Sequence, residues 1–292
     1  MLYDYLGNPI AVDGSSAGEV KIPPPFNSAI SSEVVYTAAV AGDVQSCCAH
    51  GRYVYYADIT NKTVNRYDVI DGTLLTVSQS AIGHANGMAY CDVDNCIYIA
   101  TETTRNILKL NADTLSLLDT IPLWHEDPLY PDGNWNYTAI AWNGNTKEFY
   151  LKSADIFHVY SYDIQYLKRM PLENFPTGNT TQSIETDGSF IYLAWLEGSA
   201  YYQDAKQHLY IYTLDGKFLK DCKPYASEFE SLAYDGYGGY YMSFCRGAAG
   251  YGVIRKIVEI NTVDAPAQNG TYALMATVSS GAVTYTWETT NI

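Results

Sequence analysis

The chain is poor in positive charge. Its 292 residues hold 17 Lys and Arg against 32 Asp and Glu, a formal net charge of −15, with a sequence pI near 4.6. No window gathers cations into the stripe that neutralising a phosphate backbone requires, so nucleic acid is not expected as a partner. Charge of either sign is scarce, at 17% of residues against the roughly 25% usual in soluble domains. Hydrophobic residues reach 47%, so the composition is that of a folded chain, not a disordered one. No apolar run approaches the ~20 residues of a membrane-spanning helix. The opening MLYDYLGNPIAVDG lacks the basic and apolar regions of a secretory leader, so synthesis in the cytoplasm without a signal peptide is expected.

Cysteine is also sparse. Six residues, Cys47, Cys48, Cys91, Cys96, Cys222 and Cys245, are too few for a disulfide scaffold at this length. Zinc would need a second pair beside Cys91 and Cys96, and none is present. Buried, reduced thiols are the expectation. The five histidines show no HxxxH spacing, and GxSxG, Walker A and GxGxxG motifs are absent, so no cofactor and no metal are expected. No segment carries a convincing helical period.

Tyrosine and a repeat are what the sequence does have. Twenty-eight residues are Tyr. Five segments share one grammar: QSCCAHGRYVYYAD (45–58), NGMAYCDVDNCIYIAT (86–101), TAIAWNGNTKEFYLKS (138–153), QSIETDGSFIYLAW (182–195) and ESLAYDGYGGYYMSF (230–244). Their apolar anchors are Cys47, Met88, Ile140, Ile184 and Leu232, spaced by 41, 52, 44 and 48 residues. After each anchor come a tight turn and a strand with a near-central tyrosine, Tyr55, Tyr98, Tyr150, Tyr192 or Tyr241. Third and fourth strands follow in all but the last unit. Four strands per unit of this length predict an all-β, five-bladed β-propeller. The last unit lacks its fourth strand, and the segment at 33–37 supplies one at the other end of the chain, so an N-terminal strand is expected to close the ring. The chain then divides into an attachment segment and linker (1–31), the propeller (32–263) and a C-terminal β-hairpin tail (264–292).

On this scheme one face carries every long insertion, at 124–137, 196–208 and 245–252. Long loops on a rigid scaffold concentrate function. The candidate ligand-binding residues there are His125, Trp135, Tyr137, Tyr201, Tyr202, Arg246 and Tyr251, whose aromatic faces and hydrogen-bonding neighbours suit sugar rings. A simple covering role for these loops is the alternative. Two residues before each anchor stand Gln45, Asn86, Thr138, Gln182 and Glu230, a polar ring at the channel mouth. These either satisfy strand ends and channel water or hold a polar ligand on the axis. Glu185 replaces a small residue on an inner strand, so Glu185 and Glu230 form the one candidate carboxylate pair for a glycoside hydrolase or lyase. That activity requires them to converge within about 5 to 10 Å. No catalytic residue is assigned, and a non-enzymatic role is expected.

The tail APAQNGTYALMATVSSGAVTYTWE (265–288) resembles a C-terminal motif of phage and prophage tail, neck and baseplate-associated proteins from Gram-positive gut bacteria, of the form DGTYxLxATVxxGxxTYxW. The opening LYDYLGNPI is similar to leader segments of the same proteins. The ring resembles YVTN- and NHL-like propellers in strand grammar alone. The tail resemblance implies a virion component that binds a cell-surface glycan or other receptor. Residues 1–31 and 264–292 would then attach to other tail proteins or assemble copies of the chain into a homo-oligomer. A structural assembly or decoration role without a ligand is the alternative.

Overall fold

The computed structural model describes residues 2–3, 9–10, 25–26, 28–38, 44–78, 82–101, 106–123, 138–153, 156–175, 180–197, 206–224, 228–248, 251–258, 272–279 and 282–289. Strands are numbered in chain order. β1 (Leu2–Tyr3) and β2 (Pro9–Ile10) form a two-stranded ladder, and β3 (Ser32–Thr37) follows. Blade 1 is β4 (Val44–His50), β5 (Tyr53–Asp58), β6 (Thr63–Asp68) and β7 (Thr73–Val77). Blade 2 is β8 (Gly87–Cys91), β9 (Cys96–Ala100), β10 (Asn106–Asn111) and β11 (Leu117–Pro122). Blade 3 is β12 (Ala139–Asn143), β13 (Glu148–Ser153), β14 (Ile156–Ser161) and β15 (Tyr166–Met170). Blade 4 is β16 (Thr180–Thr186), β17 (Phe190–Leu196), β18 (Gln207–Thr213) and β19 (Phe218–Cys222). Blade 5 is β20 (Phe229–Tyr234), β21 (Tyr240–Ala248) and β22 (Tyr251–Ile257), with β3 as its outer strand. Each blade is a four-stranded antiparallel sheet, and no α-helix occurs among the described residues. The fold is thus the five-bladed propeller that the repeat predicts, closed by the N-terminal strand through pairs from Val253↔Thr37 to Ile257↔Ser32.

The repeated residues explain the ring. Each central tyrosine is buried, at 0 to 3% exposure, and each pairs across the blade with the residue after the anchor: Cys48↔Tyr55, Ala89↔Tyr98, Ala141↔Tyr150, Glu185↔Tyr192 and Ala233↔Tyr241. The core lies in the seams between blades. Cys48 and Tyr55 of blade 1 share a cluster with Met88, Ile97 and Ile99 of blade 2, and Ala141 and Tyr150 of blade 3 share one with Ile184 and Leu193 of blade 4. Burying each large side chain contributes about 1.5–3 kcal/mol, so seams of this composition hold neighbouring sheets together. Inner strands approach closely. A Cβ on Gly87 would lie 2.5 Å from the Ala139 Cα, which is why β8 opens on glycine. All six cysteines are free and buried.

Both ends of the ring fall earlier than the expected 32 and 263. The compact propeller unit is Phe26–Ile260, and Met1–Pro25 groups with Asn261–Ile292 in a second unit. Residues 26–31 belong to the ring because Phe26, fully buried, packs edge-on against Tyr240 at 4.8 Å. Ser28 and Ile30 also exchange backbone hydrogen bonds with Lys223, at 2.7 and 3.0 Å. In the second unit, β23 (Tyr272–Ser279) and β24 (Ala282–Thr289) form an uninterrupted hairpin ladder.

Candidate functional site

The five inner strands run in the same sense, so their C-terminal ends and the short turns that follow surround one mouth of the channel. A cavity of about 360 Å³ opens there. Every blade contributes to it: Cys48, Ala49 and His50 from blade 1, Tyr90 and Asp92 from blade 2, and Trp142, Gly144 and Asn145 from blade 3. Glu185, Thr186, Asp187 and Gly188 come from blade 4, and Tyr234, Gly236 and Tyr237 from blade 5. Its size falls at the lower end of the roughly 300–1,000 Å³ typical of small-ligand pockets.

Aromatic rings form the wall. His50 stacks on Tyr90 at 4.2 Å with an interplanar angle of 14°, and Tyr237, 75% exposed, leans over His50 from the neighbouring turn at 5.7 Å. Burial pushes the His50 pKa down, against the raising effect of Asp92 and Asp235, so the ring favours its neutral form. Trp142 packs on Phe149 and donates its Nε1 proton to Asp92 Oδ1 at 2.7 Å.

Three carboxyl groups differ in state. Burial raises Glu185 well above the ordinary carboxylate range, aided by the charge of Asp187 and opposed by backbone N–H groups of Thr186 and Tyr234. Its carboxyl is therefore held towards the neutral, proton-donating form. Burial acts on Asp92 in the same direction but is outweighed by Trp142 and Lys147, which hold it below the usual range as an anion. Asp187 is committed to structure. Its Oδ2 accepts the hydroxyls of Tyr192 and Tyr240 at 2.5 and 2.7 Å, while Oδ1 accepts the N–H groups of Ser189 and Phe190, both at 2.8 Å.

At the opposite mouth lies the predicted polar ring. Gln45, Asn86, Gln182 and Glu230 are buried. Register shifts in the inner ladders fall at Gln45, Gln182 and Glu230. A bulge leaves its extra residue out of the ladder and re-aims its side chain, and two of the three meet: Gln45 Nε2 donates to Glu230 Oε2 at 2.7 Å. Asn86 Oδ1 and Thr138 Oγ1 are buried with no hydrogen-bond partner among the described residues, as suits groups that face channel water. Glu230 does not line the cavity that Glu185 lines, so the structure does not gather the candidate carboxylate pair into one pocket. Glu228, Glu230 and Cys245, all buried, have ligand atoms within 4.8 Å of one another. Two carboxylates and a thiol are one donor short of a four-coordinate structural site and mix hard with soft ligands.

Of the long-loop residues, His125, Trp135, Tyr137, Tyr201 and Tyr202 lie outside the described residues. Arg246 and Tyr251 are placed by backbone alone, on β21 and β22, so most of the insertion expected at 245–252 is paired strand and not a long loop. The cavity at the short-turn mouth is what sequence reasoning missed. The signal for it was present, since His50, Asp92, Asn145, Asp187 and Tyr237 all occupy the first inter-strand turn of their blades or its edge.

No family model and no curated protein matches this chain. Among solved structures, the chain is similar to the Kuenenia stuttgartiensis hydrazine synthase at 9% identity and a TM-score of 0.43, over 71% of this chain and 57% of that one. A likeness of that degree says nothing about activity.

Proposed function

We propose that the chain is a ligand-binding β-propeller that takes the end of a cell-surface glycan into its short-turn pocket and is carried on a phage or prophage tail by its terminal segments. The observation behind the binding half is one cavity to which all five blades contribute, with the rings of Tyr90, Trp142 and Tyr237 beside hydrogen-bonding groups of Asp92, Asn145 and Glu185. Ring faces stack on the apolar faces of sugars while carboxylates and amides orient hydroxyls. The volume suits one or two sugar units, so a chain end is the natural ligand. The tail-like motif in residues 265–288 supports the second half. A two-stranded hairpin such as β23–β24 is marginal alone and gains stability by packing on a partner. A multivalent display would turn weak sugar contacts into avidity.

The test is retention. Clustered full-length protein, wild type and a Tyr237→Ala, Asp92→Asn double variant, is applied to cell walls of Gram-positive gut bacteria and to a glycan panel. The wild type is expected to be retained and the folded variant released. No retention of the wild type on either support would leave the purely structural reading in possession of the field. Detection of the chain in purified virions at a fixed copy number tests the tail assignment separately.

A further inference from the structure

Resting on the reading that the short-turn pocket binds a ligand, we propose that this ligand carries an ammonium group, as an unacetylated amino sugar does, seated against Asp92 and Trp142 where the Lys147 ammonium now lies. The pocket's own lysine marks the seat. Lys147 Nζ lies 3.0 Å from Asp92 Oδ2 and 5.8 Å from the centre of the Trp142 ring. A carboxylate on one side and an indole on the other is the arrangement that favours an organic cation, through charge and through the ring quadrupole. Lys147 does not itself line the cavity. It reaches the seat from the turn of blade 3, with its side chain 47% exposed and Asp92 49% exposed. Exposed pairs of this kind contribute little, so Lys147 leaves at small cost when another cation arrives.

The rest of the lining agrees. Among the described lining residues none is Lys or Arg, while Asp92 stands as a carboxylate against the seat. An anionic ligand, a phosphate or a uronic acid, would meet the Asp92 carboxylate and several aromatic rings, and the Lys147 ammonium beside them is already paired with Asp92. Neutral sugars fit the walls but cannot replace Lys147 as the cationic partner of Asp92. The net charge of −15 extends the same preference to encounter, since a negative molecule draws cations towards its surface.

The experiment is titration of the full chain with glucosamine oligosaccharides, their fully N-acetylated counterparts and the matching glucose oligomers, at low and high salt. The deacetylated form is expected to bind about twofold to fivefold more tightly than the other two, a preference that salt reduces. Asp92→Asn, shown to be folded by its unfolding curve, is expected to erase the preference while leaving weak binding of all three. Lys147→Ala removes the competing cation and is expected to tighten the deacetylated ligand by up to about fivefold. Equal affinity for all three sugars overturns the ammonium inference and leaves the binding reading standing. Loss of the preference in Lys147→Ala overturns it too, because Lys147 would then be a ligand contact and not a placeholder. Binding of none of the three counts against the pocket as a sugar site and takes this inference with it.

Discussion

Glu185 stands opposite Tyr192 in blade 4, at the register position where the other blades pair tyrosine with Cys48, Ala89, Ala141 or Ala233. Four blades thus keep a small side chain where inner strands crowd the axis, and one places a carboxyl there, 6% exposed, on the pocket lining.

Burial raises the folded pKa of Glu185 above its ordinary 4.5. Between that value and the raised one, the folded chain holds a proton that the unfolded chain has released. The contribution of this group to stability is therefore full at low pH and declines as pH rises through the window. Glu185→Gln has nothing to titrate there. Its melting temperature relative to wild type is expected to rise as pH is raised above the ordinary 4.5, followed by thermal unfolding at matched ionic strength. A difference constant with pH would mean that Glu185 titrates as an ordinary surface acid.

Ring closure gives a second expectation. A chain lacking residues 1–25 keeps Phe26 and β3, and so should retain a folded propeller. Extending the deletion to residue 38 strips β22 of its outer partner, β3, and is expected to abolish cooperative unfolding or lower the melting temperature by more than about 10 °C. Phe26→Ala, which leaves a hole beside Tyr192 and Tyr240, should cost about 3–5 kcal/mol by urea denaturation. A shorter deletion that unfolds the ring would show that residues 1–25 are part of it.

Two glycines separate steric crowding from simple loss of flexibility. A Cβ on Gly87 meets the Ala139 backbone at 2.5 Å, whereas one on Gly144 meets nothing nearer than 3.6 Å. Gly87→Ala is expected to destabilise by about 1–3 kcal/mol through forced separation of blades 2 and 3. Gly144→Ala should change stability by no more than about 0.5 kcal/mol. Similar urea midpoints for the two variants would contradict the close approach of β8 and β12.

These features were unequally legible. The anchors and the central tyrosines repeat in sequence because every blade solves one packing problem, so the five blades and the role of β3 could be read off spacing alone. Phe26 was not readable, since a lone aromatic after Pro23-Pro24-Pro25 carries no period. The bulges at Gln45, Gln182 and Glu230 were hidden because a bulge belongs to the pairing of two strands, not to one. The short-turn pocket was overlooked for a different reason. Loop length drew attention to the opposite face, whereas Asp92, Asn145, Asp187 and Tyr237 sit on turns too short to stand out and are gathered only by the convergence of five blades.

Asp187 offers a final test, at the join between blades 4 and 5. One carboxylate oxygen accepts hydroxyls from Tyr192 on β17 and Tyr240 on β21, so a single residue ties two sheets beside the pocket. An amide keeps the shape but can accept on one atom only. Asp187→Asn either gives up the two backbone donors of its own turn or leaves two largely buried hydroxyls facing an N–H group. An unmade bond at a buried polar group costs about 1–3 kcal/mol, so a loss of about 2–4 kcal/mol is expected in urea. Tyr240→Phe removes only one donor and should cost about 1 kcal/mol. In the Tyr240→Phe background the effect of Asp187→Asn should shrink, because one of its two stranded hydroxyls is gone; effects that simply add would show that Asp187 and Tyr240 are not coupled.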